Sequence, residues 1–258
     1  MTGSLVRVWV IGRNSFLEAI RDRVLYVLLA FAILMIGSAE LLSLLTVGSR
    51  EKIFKDLGLA SIALFGALIA VFVGVGAVSK EIERRTIHSL LARPVHRFEF
   101  LLGKYVGLLL TILVNTTVMA GWFYVVLAIK GFPDPRLLPA IGLIGLELGV
   151  VTAIAILFSS LSNPLLSTLF TLSFYVAGHL SWSLLALAER LAHPAGKALC
   201  LAGYYLLPNL ENFNIKGEVV HGLPVPPGWY ASAALYAAAY AASVLLAAIC
   251  LFRRRDLG

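Results

Sequence analysis

The sequence predicts an all-α integral membrane protein with six transmembrane helices. Of the 258 residues, 60% are hydrophobic and 14% are charged, whereas a soluble domain carries about 25% charged residues. The chain also contains long runs without any charge, and about 20 apolar residues suffice to cross a membrane as a helix. These runs lack the alternating ten-residue segments of a membrane β-barrel. The composition excludes a soluble enzyme, a disordered chain and a nucleic-acid-binding module.

Six apolar runs give the predicted spans, which form one transmembrane domain over residues 1–258. They cover about 24–49, 57–79, 101–129, 137–161, 164–188 and 229–252. The fourth and fifth spans come from a single run that is too long for one crossing. Pro164 divides this run, because proline disfavours helical backbone at the preceding Asn163.

The distribution of positive charge predicts the orientation. The net charge is +7, and Lys and Arg accumulate in cytoplasmic loops of membrane proteins. With a cytoplasmic N-terminus, 13 of the 21 Lys and Arg residues lie inside, including the tail Arg253–Arg255. We therefore expect a multi-pass protein of a bacterial or archaeal cytoplasmic membrane, with both termini in the cytoplasm and with the lipid bilayer as a partner.

The first 23 residues predict an amphipathic helix that lies in the cytoplasmic interface of the membrane. Apolar residues, among them Leu5 and Trp9, line one face of this helix, and Arg7 and Glu18 line another. A tryptophan is typical of the headgroup region. The alternative is a solvated N-terminal segment.

The cytoplasmic segment 80–100 predicts a short amphipathic helix between spans two and three. Ile82, Ile87, Leu90 and Leu91 share one side of this helix, and Pro94 ends it. Two interpretations follow from the pattern alone. The helix is either an interfacial linker that rests on lipid or a docking element for a soluble partner.

The predicted outer segment 189–228 is long for a simple connection. Its apolar part, Ala198 to Leu210, is too short to span and predicts an interfacial or re-entrant helix. The Asn-, Gly- and Pro-rich remainder predicts an irregular loop. The segment is either a plain connector or a surface for a partner outside the cytoplasm.

Three polar residues inside the predicted spans are candidates for a translocation path: Asn115, Glu147 and His179. A charged group near the bilayer centre costs about 2.5–3.5 kcal/mol on insertion scales, which makes Glu147 the strongest of the three. The alternatives are a carboxyl that helps helices to pack, a buried histidine with satisfied partners, and interhelical hydrogen bonds from Asn115. A Glu147–His179 pair is compatible with adjacent spans. The pattern Gly145-x-x-x-Gly149 predicts close helix approach, and no metal site is expected.

Residues 81–104 carry the pattern Glu81-x-Glu83-x-x-Thr86-Ile87-x-x-Leu90-Leu91-Ala92-x-Pro94-Val95-x-Arg97-x-Glu99-x-x-x-Gly103-Lys104. This pattern resembles the signature of ABC-2 class permeases, the membrane subunits of many ABC exporters. The six-span layout, the interfacial first helix and the long outer segment are similar too. Within that class the chain resembles the group for maturation of multicopper enzymes and nitrous oxide reductase. Arg85 departs from the pattern, because many relatives have glycine there.

The resemblance implies that two permease copies pair and that each engages a separate P-loop ATPase subunit through a coupling helix. The docking residues that it implies are Glu81, Ile82, Glu83, Arg84, Arg85, Thr86, Ile87, Leu90, Leu91, Pro94 and Arg97. ATP and magnesium would bind the partner, because neither Gly103-Lys104 nor Gly196-Lys197 lies in a P-loop sequence. The chain itself is then neither an enzyme nor a binder of cofactors.

Two other functions are compatible with the sequence. One is a secondary transporter that uses an ion gradient through Glu147. The other is a membrane anchor for a partner that binds residues 189–228. The cargo cannot be inferred from the sequence, and the direction of transport follows from the resemblance.

Overall fold

A computed structural model describes residues 2–44, 50–83, 96–191 and 193–254, and it contains no β-strand among them. The helices in chain order are α1 (Thr2–Ile20), α2 (Arg23–Leu44), α3 (Arg50–Glu83), α4 (Arg97–Ile129), α5 (Leu137–Leu161), α6 (Pro164–His179), α7 (Ser181–Arg190), α8 (Pro194–Leu206), a 3₁₀ helix (Leu210–Phe213), α9 (Lys216–His221) and α10 (Trp229–Arg254). The predicted all-helical class is confirmed.

Four helices, α3, α4, α5 and α10, are long and apolar enough to cross a membrane. The predicted fifth span, 164–188, is not one straight helix, because α6 and α7 are bent by 58° at Leu180. Helix α2 covers Arg23–Leu44, and residues 45–49 of the span predicted for 24–49 lie outside the described residues. The protein is therefore a multi-pass helical membrane protein, and the count of six spans stays a prediction.

The turn between α5 and α6 is built as the sequence predicts. The amide oxygen of Asn163 accepts a hydrogen bond from the backbone N–H of Leu166 at 2.9 Å, which caps the N-terminus of α6. Pro164 occupies the first turn of the helix, where its missing N–H costs nothing. The two helices thus pack side by side after a very short connection.

Helix α5 lies at the centre of the bundle and contacts α3, α4, α6 and α10. Close packing brings the ring of Phe123 on α4 directly against Gly58 on α3, where a Cβ atom would lie 2.1 Å from the ring. Of the two glycines in the pattern Gly145-x-x-x-Gly149, only Gly149 faces a neighbouring helix closely. A Cβ at Gly149 would lie 3.2 Å from the side chain of Leu109 on α4, whereas a Cβ at Gly145 would meet nothing within 4 Å.

The two ends of the bundle differ in what they carry. We call the end that holds α1 and the C-terminus of α10 the terminal end, since Arg97 at the start of α4 binds the carbonyl of Phe252 there. Helix α3 ends and α4 begins at this end, so residues 84–95 connect them here. The opposite end carries the α4–α5 connection and residues 191–228.

The opposite end contains a segment that inserts into the bundle, residues 207–221, which we call the inserted segment. Leu210, Phe213 and Ile215 are each at most 2% exposed and pack in the same core cluster as residues of α3 and α5. The predicted interfacial or re-entrant helix over Ala198–Leu210 corresponds largely to α8, which has no buried residue, and the part that enters the bundle follows it. The predicted irregular loop instead contains the 3₁₀ helix and α9, and it is this part that enters the bundle.

Candidate functional site

The predicted docking residues fall into two groups. Arg84, Arg85, Thr86, Ile87, Leu90, Leu91 and Pro94 lie outside the described residues. Ile82 and Glu83 form the end of α3. Glu81 and Arg97 lie on either side of residues 84–95, and both make contacts within the chain. Their surroundings therefore define the frame that holds this segment.

A buried lysine connects the elements of this frame. The side chain of Lys104 on α4 is 1% exposed, and its Nζ lies 2.5 Å from Oε1 of Glu81 near the end of α3. The same Nζ lies 3.5 Å from Oε2 of Glu18 on α1 and 5.8 Å from the centre of the Phe100 ring. The lysine therefore joins α1, α3 and α4.

Glu99 attaches α1 to the first turn of α4. Arg7 donates from Nε to Oε2 of Glu99 at 2.9 Å and from Nη2 to Oε1 at 2.7 Å. The backbone N–H of His96 donates to the same carboxylate at 3.1 Å. Glu99 lies near the edge of the molecule, but these partners cover it completely. This bidentate geometry fixes both the position and the orientation of Arg7 relative to Glu99.

Glycines bring α1 and α4 into direct backbone contact. A Cβ at Gly107 would lie 2.3 Å from the carbonyl oxygen of Gly12, and a Cβ at Gly103 would lie 2.7 Å from the side chain of Ile11. Only glycine permits this close approach. The approach determines which side of α1 is buried: Gly12 and Ser15 pack against α4, whereas Trp9 lies on the other side and is 57% exposed.

Two further contacts complete the frame. Lys80 Nζ lies 2.6 Å from Oδ2 of Asp22 in the α1–α2 turn. Burial raises the pKa of Asp22, but the hydrogen bonds from Lys80 and from the N–H of Val24 outweigh it and lower the pKa overall. On the other side, Arg97 donates to the carbonyl of Phe252 at 2.7 Å. We call these contacts, centred on Lys104, the frame cluster.

The frame cluster joins the helices on either side of residues 84–95. The chain enters residues 84–95 one turn after Lys80 and Glu81, and it leaves them immediately before Arg97 and Glu99. Ion pairs join the α3 flank to the α1–α2 turn and to α4, and they join the α4 flank to α1. Arg97 also connects the α4 flank to α10.

The polar residues inside the bundle form a second cluster, and it contains two of the three predicted residues. Nε2 of His179 lies 2.9 Å from Oε1 of Glu147, which is fully buried. Nδ1 of the same histidine lies 3.6 Å from Oε2 of Glu211 in the inserted segment. The ring of Tyr175 meets the histidine edge-on, with 4.9 Å between ring centres.

Asn115 does not join this cluster through the contact that the structure gives it. Its Nδ2 donates to the carbonyl of Thr111, one turn earlier on α4, at 2.8 Å. The predicted interhelical hydrogen bond is thus replaced by a bond within the helix. Asn115 is buried, and its amide satisfies a polar group inside the membrane domain.

A family model described as ABC-2 family transporter protein matches residues 9–257 of the chain. The chain belongs to this family. The match covers almost all of the sequence, including every residue of both clusters except Arg7. A search of curated proteins gave no match. As a member of the ABC-2 family, the chain is a membrane component of an ABC transporter and a transport subunit rather than the ATPase.

Sequence reasoning missed several residues of this ABC-2 protein's frame cluster. Arg7, Glu18 and Asp22 pair with residues far along the chain, and nothing in their local pattern indicates these partners. Glu99, Gly103 and Lys104 could have been found, because they are fixed positions of the pattern 81–104. Glu99 and Gly103 are four residues apart and therefore share one face of α4, which is the face that α1 covers.

Proposed function

We propose that this chain is the membrane subunit of an ATP-driven exporter, in which each permease copy engages a separate P-loop ATPase subunit. The observation that supports this proposal is the frame cluster around residues 84–95. Family membership supports an ATPase as the kind of partner. A segment held at both flanks by ion pairs suits the transfer of movement from a soluble subunit to the spans.

In the proposed orientation the terminal end faces the cytoplasm, where ATP is available. The excess of Lys and Arg at this end supports that orientation. Residues 84–95 are then accessible to a cytoplasmic partner. The inserted segment lies on the outer side, and its exposed neighbour α8 is the proposed place for any partner outside the cytoplasm.

The docking contact would combine an apolar anchor with a polar rim, as in other protein interfaces. Ile82, Ile87, Leu90 and Leu91 are the anchor, and Glu83, Arg84 and Arg85 belong to the rim. ATP and magnesium bind the partner subunit. Closure of two ATPase subunits on ATP would push two permease copies, which we propose to be identical, between inward-open and outward-open states.

Capture of the ATPase subunit tests this proposal. The tagged protein is purified from its native membranes in mild detergent, and its partners are identified by mass spectrometry. The double variant Leu90→Asp/Leu91→Asp is expected to insert normally and to lose the ATPase. Leu223→Asp is the matched control, because Leu223 is a 58% exposed leucine at the opposite end of the bundle.

Two results would contradict the proposal. Purification of wild-type protein without a P-loop ATPase would refute the proposed partner. Equal recovery of the ATPase with Leu90→Asp/Leu91→Asp would refute the proposed docking face. Loss of the ATPase in the Leu223→Asp control would show that the effect is not local to residues 84–95. Recovery of the ATPase with wild-type protein and with Leu223→Asp, but not with Leu90→Asp/Leu91→Asp, supports both the ATPase partner and the docking face.

The Glu147–His179 pair supports a second candidate function, a transporter driven by an ion gradient. A paired ionisable residue within a membrane domain is typical of proton relays. In that case Glu147→Gln abolishes uptake that needs a gradient and no ATP. Transport by wild-type protein in de-energised vesicles loaded with ATP would exclude this candidate and leave the exporter.

A further inference from the structure

His179 lies where three parts of the bundle meet. It is the last residue of α6, directly before the 58° bend to α7. One ring nitrogen faces Glu147 on α5, and the other faces Glu211 in the inserted segment. The neighbouring Gly178 is the point over which the inserted segment passes, since a Cβ there would lie 2.9 Å from the carbonyl oxygen of Pro208.

The partners of the two ring nitrogens determine how many protons the three residues must share. A neutral imidazole has one N–H, so it can donate to only one of two carboxylates, and its second nitrogen then presents a lone pair. A protonated imidazole donates on both sides. The same single extra proton can also reside on Glu147, which then donates to Nε2 while Nδ1–H faces Glu211. In either arrangement each ring nitrogen faces its carboxylate favourably only when the three residues hold one proton more than two carboxylates and a neutral histidine.

The burial of Glu147 makes loss of this proton energetically costly. Glu147 is fully buried, and its Oε2 has no hydrogen-bond partner among the described residues. Without the proton, a buried carboxylate would face an imidazole that cannot donate to it and to Glu211 at once, which is costly in a membrane interior. The other groups that act on His179 are the uncharged Tyr175 on α6 and the cation Lys216 on α9.

We propose that Glu147, His179 and Glu211 form a proton-binding site whose bound proton holds the inserted segment against the bundle. Movement of this segment outward takes Glu211 away from His179 and removes one of the two carboxylates that favour the proton. By linkage, the proton binds more tightly when the segment is seated, and a low pH on this side of the membrane favours the seated state. Deprotonation favours release of the segment.

The inference rests on the proposed function, because a segment that seats and releases is useful as an outer gate for cargo. Its test needs neither cargo nor ATPase, so the two can fail separately. If the ATPase is not captured but the pH effect is found, the proton-site proposal stands and the exporter proposal is refuted. If the ATPase is captured but no pH effect is found, the exporter proposal stands and the proton-site proposal is refuted.

Cysteine labelling measures how often the inserted segment leaves the bundle. Full-length protein with Cys200→Ser and Cys250→Ser carries a single reporter, Val220→Cys, at a site that is 7% exposed. A membrane-impermeant maleimide is applied from the outer side of sealed membranes. A second reporter, Leu223→Cys at an always exposed site, corrects for the chemical effect of pH on thiols. The measured quantity is the ratio of the two labelling rates.

The ratio is expected to rise at least about fivefold between about pH 5 and about pH 8, the range in which histidine changes charge. Glu211→Gln keeps the shape of the side chain and its acceptor for Asn214, which donates to Oε1 at 2.8 Å, and it should abolish this rise. Glu147→Gln should also abolish it. Glu218→Gln, a change of an exposed carboxylate in the same segment, should leave the rise intact.

A ratio that does not change with pH in the wild-type background would overturn the proposal. So would a rise that persists unchanged in Glu211→Gln, or one that Glu218→Gln removes equally. Glu211 has a side chain that is 46% exposed, so its replacement by glutamine leaves the buried core unchanged. His179→Gln supplies an independent variant, and it is expected to give the pH-insensitive ratio of Glu211→Gln.

Discussion

The Nζ atom of Lys104 lies 2.5 Å from the carboxylate of Glu81, with the lysine side chain almost completely buried. This ion pair joins the first turns of α4 to the last turn of α3, on either side of residues 84–95. Glu18 of α1 approaches the same lysine. The charges at the two ends of residues 81–104 thus have a structural role, because Glu81 and Lys104 meet in space.

Lys104→Met is expected to loosen this junction. Methionine keeps most of the length and apolar volume but removes the ion pair between Nζ and Glu81. We expect the free energy of unfolding to fall by about 2–3 kcal/mol, because a charge-assisted contact of a buried side chain is lost. Thermal unfolding in detergent measures the loss. Lys52→Met, at an exposed site of α3, should unfold as wild type does, and an equal loss in both variants would show that Lys104 has no special role.

The boundaries of helices were largely predictable, whereas their contacts were not. Helix α5 covers Leu137–Leu161, the same residues as the predicted fourth span, because span ends depend on local hydropathy and on Pro164. Arg7 and Glu99 lie 92 positions apart, and their pairing depends on how α1 lies across α4. A single sequence contains no signal for such a placement beyond the glycines at positions 12, 103 and 107.

The inserted segment shows where local patterns mislead. Ala198–Leu210 is the apolar stretch, and it predicted an interfacial or re-entrant helix. The burial instead belongs to Leu210, Phe213 and Ile215, which alternate with polar residues. Their burial depends on space between α3, α5 and α6, which no local rule describes. The Glu147–His179 pair was compatible with the sequence, but Glu211 as a third member was not foreseen.

Gly107→Ala is expected to separate α1 from α4. The new Cβ would lie 2.3 Å from the carbonyl oxygen of Gly12, and a backbone atom cannot move aside as a side chain does. Overpacking of this kind costs about 1–3 kcal/mol, which thermal unfolding would detect. Gly121→Ala is the matched control on the same helix, because its Cβ would meet nothing within 4 Å. It should gain stability from helix propensity, and a gain at Gly107 as well would refute the close packing.

Acid is expected to weaken the contact between Asp134 and Lys55. Nζ of Lys55 lies 2.8 Å from Oδ2 of Asp134 in the α4–α5 connection. Burial raises the pKa of Asp134, but the hydrogen bonds from Lys55 and from the N–H of Arg136 outweigh it, and the pKa is lowered overall. A carboxyl whose pKa is lower in the folded state stabilises the protein above its ordinary pKa of about 4. That contribution is lost as the pH falls through the lowered value.

Asp134→Asn tests this contribution. The variant should be less stable than wild type at neutral pH by about 1–3 kcal/mol, and the difference should shrink as the pH falls below about 4. Unfolding temperatures across this pH range, measured in one detergent, provide the comparison. Asp56→Asn, an exposed aspartate on α3, serves as control. A difference between Asp134→Asn and wild type that stays constant with pH would contradict the assignment.

Gly178→Ala is expected to lift the inserted segment from its seat. A Cβ at this position would lie 2.8 Å from Cγ of Leu210 and 2.9 Å from the carbonyl oxygen of Pro208. The leucine side chain can shift, but the backbone oxygen requires the segment to move. Trypsin then reaches Lys216 more readily, and Lys197 on the exposed helix α8 gives an internal standard for each digestion. Gly145→Ala is the control, because its Cβ would meet open space. Faster cleavage at Lys216 relative to Lys197 in Gly178→Ala alone supports the seat, whereas identical digestion of both variants would show that residues 207–221 do not rest on Gly178.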